Sequence, residues 1–317
     1  MRFSENVVTV LALKSMKGIG NAWIVNHFHP STPLEVLVAR MNEKRKPLEW
    51  MSIEKFMQIR AYFASQLEQL SHTQGAVALG DEDFPPYRGS VNAGERPVLL
   101  FYRGNINLLK RENHNVAVIG LLQPTPQIEA CEREVVERLV ANGVSIVSGL
   151  ALGCDGIAHH QALQSGGNTV AILPSSLEHI LPTAHRELAS EIVERGGLLV
   201  SEYYKEPTSR NAFIQRYIQR DRLQALFSDA IILSASYAPN KQGLDSGSRH
   251  AMQKALKYGI RRAVIYNETR DALNACYDLN REILQRDKRV LSLHKESLEG
   301  ALNTLLVRDK REASLFE

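Results

Sequence analysis

Side chains and glycines able to do chemistry are densest in Ser148-Gly149-Leu150-Ala151-Leu152-Gly153-Cys154-Asp155-Gly156-Ile157-Ala158-His159. The segment follows Val144-Ser145-Ile146-Val147, so the pattern predicts a buried strand that leaves through small residues and enters a helix near Asp155. Gly149 and Gly153 let backbone N–H groups approach a ligand with no Cβ in the way, and a helix start carries partial positive charge. Together these features build an anion site suited to phosphate. The same residues also serve plain folding, because glycine turns chains and Asp155 can be an N-cap for the first amides of its helix.

A second loop of this kind reads Asp245-Ser246-Gly247-Ser248-Arg249-His250-Ala251. Ser246 and Ser248 either cap a helix or offer hydroxyls to phosphate, and Gly247 permits close backbone approach. Positive charge gathers at Arg210, Arg216, Arg220 and Arg222, then at Arg249, Lys254, Lys257, Arg261 and Arg262. Arg216 and Arg220 share a helix face and repel unless an anion or a carboxylate stands between them. Asp221 is the one acid from Arg210 to Arg222. The candidate phosphate-binding set is therefore Ser148, Gly149, Gly153, Asp155, Arg216, Arg220, Arg222, Ser246, Gly247, Ser248 and Arg249. Tyr203, Tyr204 and Tyr217 are candidates to stack on bases, with core packing the alternative for each and the favoured one for Tyr217, which sits on a helix.

These loops need a frame. Short apolar strands at Val116–Ile119, Val144–Val147, Thr169–Leu173, Leu198–Ser201, Ala230–Leu233 and Ala263–Tyr266 alternate with helical patterns near 127–142, 155–165, 185–195, 213–227 and 247–258. That alternation predicts an α/β fold, a doubly wound parallel sheet with both faces covered. Right-handed crossovers then bring the loops after the strands to one rim, where ligands of such sheets bind.

Residues 1–75 read as a small helical domain, with apolar positions every three or four residues and a Gly18-Ile19-Gly20 turn like that of a helix-hairpin-helix. Residues 76–317 form the second domain, whose end holds a strand at Val290–Leu293 and a helix from Lys295 to about Val307.

The 317 residues carry a formal net charge of +3, too slight to argue for a polyanion partner without local clustering. Cys131, Cys154 and Cys276 show no metal-ligand or disulfide spacing, so neither a metal nor a cofactor is expected. Reduced thiols and the lack of any long apolar run point to a cytoplasmic protein away from membranes.

In this order the motifs resemble the DNA-processing protein A family, also called DprA or Smf. Residues 148–159 are similar to its SGxARGIDxxAH run, Leu199-Val200-Ser201-Glu202-Tyr203 to its LLSEY, and Arg220-Asp221-Arg222-Leu223 to its RNRI. Ser246-Gly247-Ser248 with Ala251 resembles SGSxxTA, and Tyr102-Arg103-Gly104-Asn105 resembles FxxGN. The resemblance implies an extended Rossmann-like domain that binds single-stranded DNA, forms a homodimer and helps load a RecA-type recombinase, including in DNA-mediated transformation, with no bond-making chemistry of its own. It carries DNA-facing roles to Gly149, Gly153, Arg220, Arg222, Ser246 and Gly247.

Three departures accompany it. Leu152 stands where the family has Arg or Lys, Gly120-Leu121-Leu122 replaces a GSR-like turn, and Asp221 replaces the Asn of RNRI. The winged-helix C-terminal domain of many members is expected to be missing. The loss of basic positions opens an alternative, a nucleotide-binding sensor of the wider phosphoribohydrolase-like group, with a role in defence; the hydrolases' PGGxGTxxE signature has no counterpart, although Glu202 or Asp155 could be asked to act as the carboxylate. A third reading is a scaffold that has kept the fold and lost its ligand.

Overall fold

Asn115-Val116-Ala117-Val118-Ile119 is buried along its whole length, which requires cover on both faces of the strand it forms. The computed structural model describes residues 3–43, 47–239 and 247–307. Among the described residues, nine strands make one sheet: β1 Gly75–Ala78, β2 Leu99–Gly104, β3 Asn115–Ile119, β4 Ser145–Ser148, β5 Thr169–Leu173, β6 Leu198–Ser201, β7 Ala230–Leu233, β8 Arg261–Ile265 and β9 Leu291–Leu293. Their order is β1-β2-β6-β5-β4-β3-β7-β8-β9.

The seven strands from β6 to β9 are parallel, as the alternation predicts. β1 and β2 lie outside the alternating segment read above: β1 pairs antiparallel with β2, and β2 antiparallel with β6. The reason lies in the connections. Parallel neighbours need a long crossover, usually a helix, and the chain between β1 and β2 has only turns and a single 3-10 turn.

The helices are α1 Glu5–Lys14, α2 Asn21–His27, α3 Leu34–Asn42, α4 Ile53–Glu68, α5 Pro126–Ala141, α6 Cys154–Gln164, α7 Arg186–Glu194, α8 Arg210–Leu226, α9 Ser248–Tyr258, α10 Glu268–Asp271, α11 Asp278–Arg286 and α12 Leu298–Leu306. One face of the sheet is covered by α8, α9 and α11, where Leu223, Leu226, Met252 and Ile283 join strand residues such as Ile119, Val147 and Ile231. On the other, Val136 and Leu139 of α5 and Ala162 of α6 pack with Val118, Ile146 and Ile232.

The N-terminal helices belong to the same construction. Val10, Leu13, Ile24 and Phe56 share a single apolar cluster with Leu99, Phe101 and Leu199 of the sheet. The turn between α1 and α2 is held by Asn21, which accepts from Lys14 Nζ at 3.1 Å and donates to the Arg96 carbonyl at 2.8 Å.

Strand order sets where a ligand can sit. From β3 the chain steps through β4 and β5 to β6 on one side, and α8 then carries it back to β7 on the other side of β3. The switch therefore lies between β3 and β7, the place where loops diverge and leave a crevice at the carboxyl ends of the strands.

Candidate nucleic-acid interface

A cleft of about 410 Å³ opens at that switch. It is walled by Gly120 and Leu122 after β3, Ala151 and Asp155 after β4, and Gly247 and Ser248 at the start of α9. The remaining wall is α8, which contributes Ile214, Tyr217, Ile218, Arg220, Asp221 and Gln224. The first turns of α6 and α9 both face it, so two helix starts direct their partial positive charge inward.

The glycine-rich loop is shaped by backbone geometry that ordinary side chains resist. Gly153 caps α6 with φ +72°, and a Cβ there would lie 2.3 Å from the Leu121 carbonyl oxygen. Leu150 has φ 59° although its side chain is fully buried, and its carbonyl is bonded to His185 Nδ1 at 2.9 Å. A non-glycine residue in this region costs about 1–3 kcal/mol, and such strain gathers where a loop must hold a set shape.

Gly149 has a different task from the one the sequence suggests. A Cβ on it would fall 1.2 Å from Arg220 Nη1, so the missing side chain makes room for a guanidinium of the protein itself. With its amide oxygen turned toward them, Gln224 accepts from Arg220 Nη1 at 3.2 Å and from the Gly149 N–H at 3.1 Å. The Ala151 N–H donates to Asp155 Oδ2 at 3.3 Å. The Gly149 amide, expected to meet phosphate, and the nearby Ala151 amide are thus both engaged within the chain. Asp155, read above as an N-cap, is the second residue of its helix, and its carboxylate closes the loop rather than the first helical turn.

At the floor Arg220 is 7% exposed, between two acids. Its Nη1 lies 3.6 Å from Asp155 Oδ2, and its Nε lies 3.3 Å from Asp221 Oδ1 without the alignment of a hydrogen bond. Burial pushes the Asp221 carboxyl up to about 7, with Arg220 pulling against the shift and Asp155 adding to it. Behind the cleft Glu132 of α5 is fully buried, with Cys154 and Ser234 as its polar neighbours, yet neither carboxyl oxygen reaches a well-aligned partner. Burial raises its pKa to about 8. Nothing in the sequence marks Glu132, because it occupies an inward position of an ordinary amphipathic helix.

Of the expected set, the structure gathers Gly149, Gly153, Asp155, Arg220, Gly247 and Ser248 around this cleft and disperses the others. Ser148 is fully buried and donates to the Val118 carbonyl at 2.7 Å, tying β4 to β3. Ser248 does the same between α9 and β3, donating to the Gly120 carbonyl at 3.0 Å. Arg222 turns inward to Glu202, Nη1 to Oε2 and Nη2 to Oε1, both at 2.7 Å, and its Nε donates to the Glu95 carbonyl at 2.9 Å. Burial would raise Glu202, but Arg222 outweighs it and holds the carboxyl below its usual range. That pairing removes Arg222 from the phosphate contacts and Glu202 from any role as a poised general base.

Arg216 stacks 3.9 Å from the centre of the Tyr203 ring and donates to the Lys205 carbonyl at 2.7 Å. Arg249 lines a separate cavity of about 570 Å³ with Arg262, Arg286 and Asp287. Ser246 lies outside the described residues. Of the three aromatic candidates, Tyr203 is covered by Arg216 and Tyr204 packs near Phe101, while Tyr217 lines the cleft. Among the described residues no helix is long and apolar enough to cross a membrane, and no three His, Cys, Asp or Glu side chains are grouped as a metal site requires.

Residues 75–291 match the family model of DNA recombination-mediator protein A. Protein Smf of Borreliella burgdorferi is 31% identical over 182 residues, 56% of this chain and 54% of that one. The chain spans about half the length of the curated relatives it matches. The X-ray structure of DNA processing protein A from Streptococcus pneumoniae superposes with a TM-score of 0.68 at 22% identity, over 98% of this chain and 100% of the other, a likeness of fold. DNA processing protein A from Helicobacter pylori, whose structure was described for its single-stranded DNA binding mode, matches with a TM-score of 0.55 at 29% identity over 71% of this chain and 98% of that one. With the switch-point cleft lined by the glycine loop, the α8 arginine and the start of α9, and the family model spanning all three, this chain belongs to the DNA recombination-mediator protein A family.

Proposed function

We propose that this chain is a single-stranded DNA-binding protein of DNA processing and recombination, with no bond-making step of its own. The observation that carries the reading is the cleft between β3 and β7, onto which the family's glycine loop, its α8 arginine Arg220 and the glycine of its SGS run at Gly247 converge. The single-stranded DNA binding mode described for the Helicobacter pylori relative supports the same substrate. The strand runs along the carboxyl rim of the sheet, its phosphates meeting the starts of α6 and α9 and the exposed basic residues near α8. The protein acts in the cytoplasm as a homodimer and assists a RecA-type recombinase in taking over the strand, as in DNA-mediated transformation.

Fluorescence anisotropy with an oligo-dT strand tests the substrate. Binding is expected at low salt and weakens as salt rises, with Arg220→Ala lowering affinity roughly tenfold, the scale of one charge-assisted contact. Absence of binding at low salt rejects the reading, and a thermal shift with nucleoside monophosphates in its place would favour the nucleotide sensor. Sedimentation reports the dimer, and recombinase filament growth on a single strand with and without the protein reports the partnership.

A further inference from the structure

Away from the cleft, the first half of α8 carries a stripe of rings and cations. Phe213, Arg216, Tyr217 and Arg220 fall three, four and seven positions from the first, so they share one helix face. The Phe213 and Tyr217 rings meet edge to face with centroids 5.0 Å apart, and Arg220 lies 5.8 Å from the Tyr217 ring centre at the cleft end. At the outer end Arg216, stacked on Tyr203, leads through its bond to the Lys205 carbonyl into the segment after β6. Lys205 Nζ lies 5.2 Å from the Tyr204 ring centre and donates to Gln66 Oε1 of α4 at 2.7 Å. Tyr204 in turn meets Phe63 of α4 edge to face at 6.4 Å. Tyr62, the next ring on that helix, lies outside the Phe56, Phe63 and Leu67 stripe that α4 buries, and is 54% exposed.

A track of aromatic and cationic groups therefore runs from the cleft along α8, across the segment after β6, to α4 of the N-terminal helical region. Its charge is not spent on carboxylates. Lys205 and Arg216 bond to uncharged oxygens, and Glu206, the acid nearest them in sequence, turns Oε1 to the Ser176 N–H and Oγ at 3.0 and 2.8 Å. Rings interleaved with cations on an open face fit a polyanion whose base faces are uncovered, because the cations meet phosphates and any base can stack on a ring. A duplex hides those faces. Resting on the single-strand reading above, we infer that the strand continues beyond the sheet rim along α8 onto α4, where Arg216 and Lys205 take phosphates and Tyr62 stacks on a base. The N-terminal helices thereby hold part of the same strand as the sheet.

A twenty-residue dT strand and a twenty-residue strand of abasic sites carry the same phosphates and separate stacking from charge. In anisotropy titrations of the whole chain at low salt, Tyr62→Ala is expected to lower dT affinity about tenfold, the scale of one lost stack, and to leave the abasic strand unchanged. Tyr62→Phe keeps the ring and should bind dT as the parent does. Lys205→Ala should weaken both strands and flatten the dependence of log affinity on log salt by about 0.7. Parental dT affinity in Tyr62→Ala, an equal loss on both strands from that variant, or an unchanged salt slope in Lys205→Ala overturns the track while leaving single-strand binding intact. If the parent binds neither strand at low salt, the single-strand reading fails, and the track falls with it.

Discussion

Arg220 Nη1 occupies the space that a side chain at Gly149 would need, 1.2 Å from where its Cβ would stand. Asp155 Oδ2 is 2.6 Å from the same point, so two members of the floor converge on one missing methyl group. Gly149→Ala therefore forces Arg220 out of a site in which it is nearly buried and paired. Overpacking of this sort costs about 1–3 kcal/mol. Urea titration is expected to show that loss, and anisotropy a matching fall in DNA affinity. Unchanged stability would mean that the guanidinium swings aside freely and that Gly149 has another purpose.

The pair formed by Arg222 and Glu202 predicts a different outcome on the same helix. Removing one member of a buried, bidentate ion pair leaves the other charge without compensation and costs about 3–5 kcal/mol. Arg222→Ala and Glu202→Gln should each lower the urea midpoint sharply, whereas Arg222→Met with Glu202→Leu should restore most of the stability. Arg222→Ala with full stability and lost DNA binding would return Arg222 to the phosphate contacts.

Buried carboxyls give stability a slope in pH. Asp221 at about 7 and Glu132 at about 8 both hold their protons more firmly in the folded chain than in the unfolded one. For acids with raised pKa values, the folded state binds more protons, so their contribution is fully present below about pH 4 and is lost as pH climbs through 7 and 8. Asp221→Asn and Glu132→Gln, which keep shape without titrating, should gain stability over the parent most clearly above pH 8. The gain should shrink as pH falls toward 4. Thermal melts across pH 4–9 check this; an advantage independent of pH would place the origin of the effect elsewhere.

The parallel strands and their helices could be read from sequence because the central strands are short apolar runs buried on both faces and helices such as α5, α7 and α9 carry an apolar stripe. The antiparallel edge could not, since it follows from the lack of a crossover between β1 and β2 rather than from residue pattern. In the site, Gly149 and Arg220 stand 71 positions apart, and only the fold shows that one exists to admit the other. Arg220 and Arg222 look equivalent in the chain, yet a two-residue step on a helix turns them about 200° apart, one toward the cleft and one toward Glu202. Tyr217, for which packing is the favoured reading of a helical aromatic, lines the cleft because α8 itself forms a wall of it.

Leu152 tests how this chain differs from the family pattern. It lies in the loop between Gly149 and Gly153, is 48% exposed, and stands where the resemblance calls for a basic residue. Its exposure means that Leu152→Arg should alter stability by no more than about 0.5 kcal/mol. A guanidinium at that position can reach a phosphate on the rim without entering the acid-lined floor. Each added phosphate contact on a single strand steepens the dependence of log affinity on log salt by about 0.7. The variant should therefore bind a dT strand more tightly at low salt and lose more of that affinity as salt rises. Should the slope stay as it is in the parent, the strand does not pass over this loop, and the path of the phosphates must lie on the α9 side of the cleft.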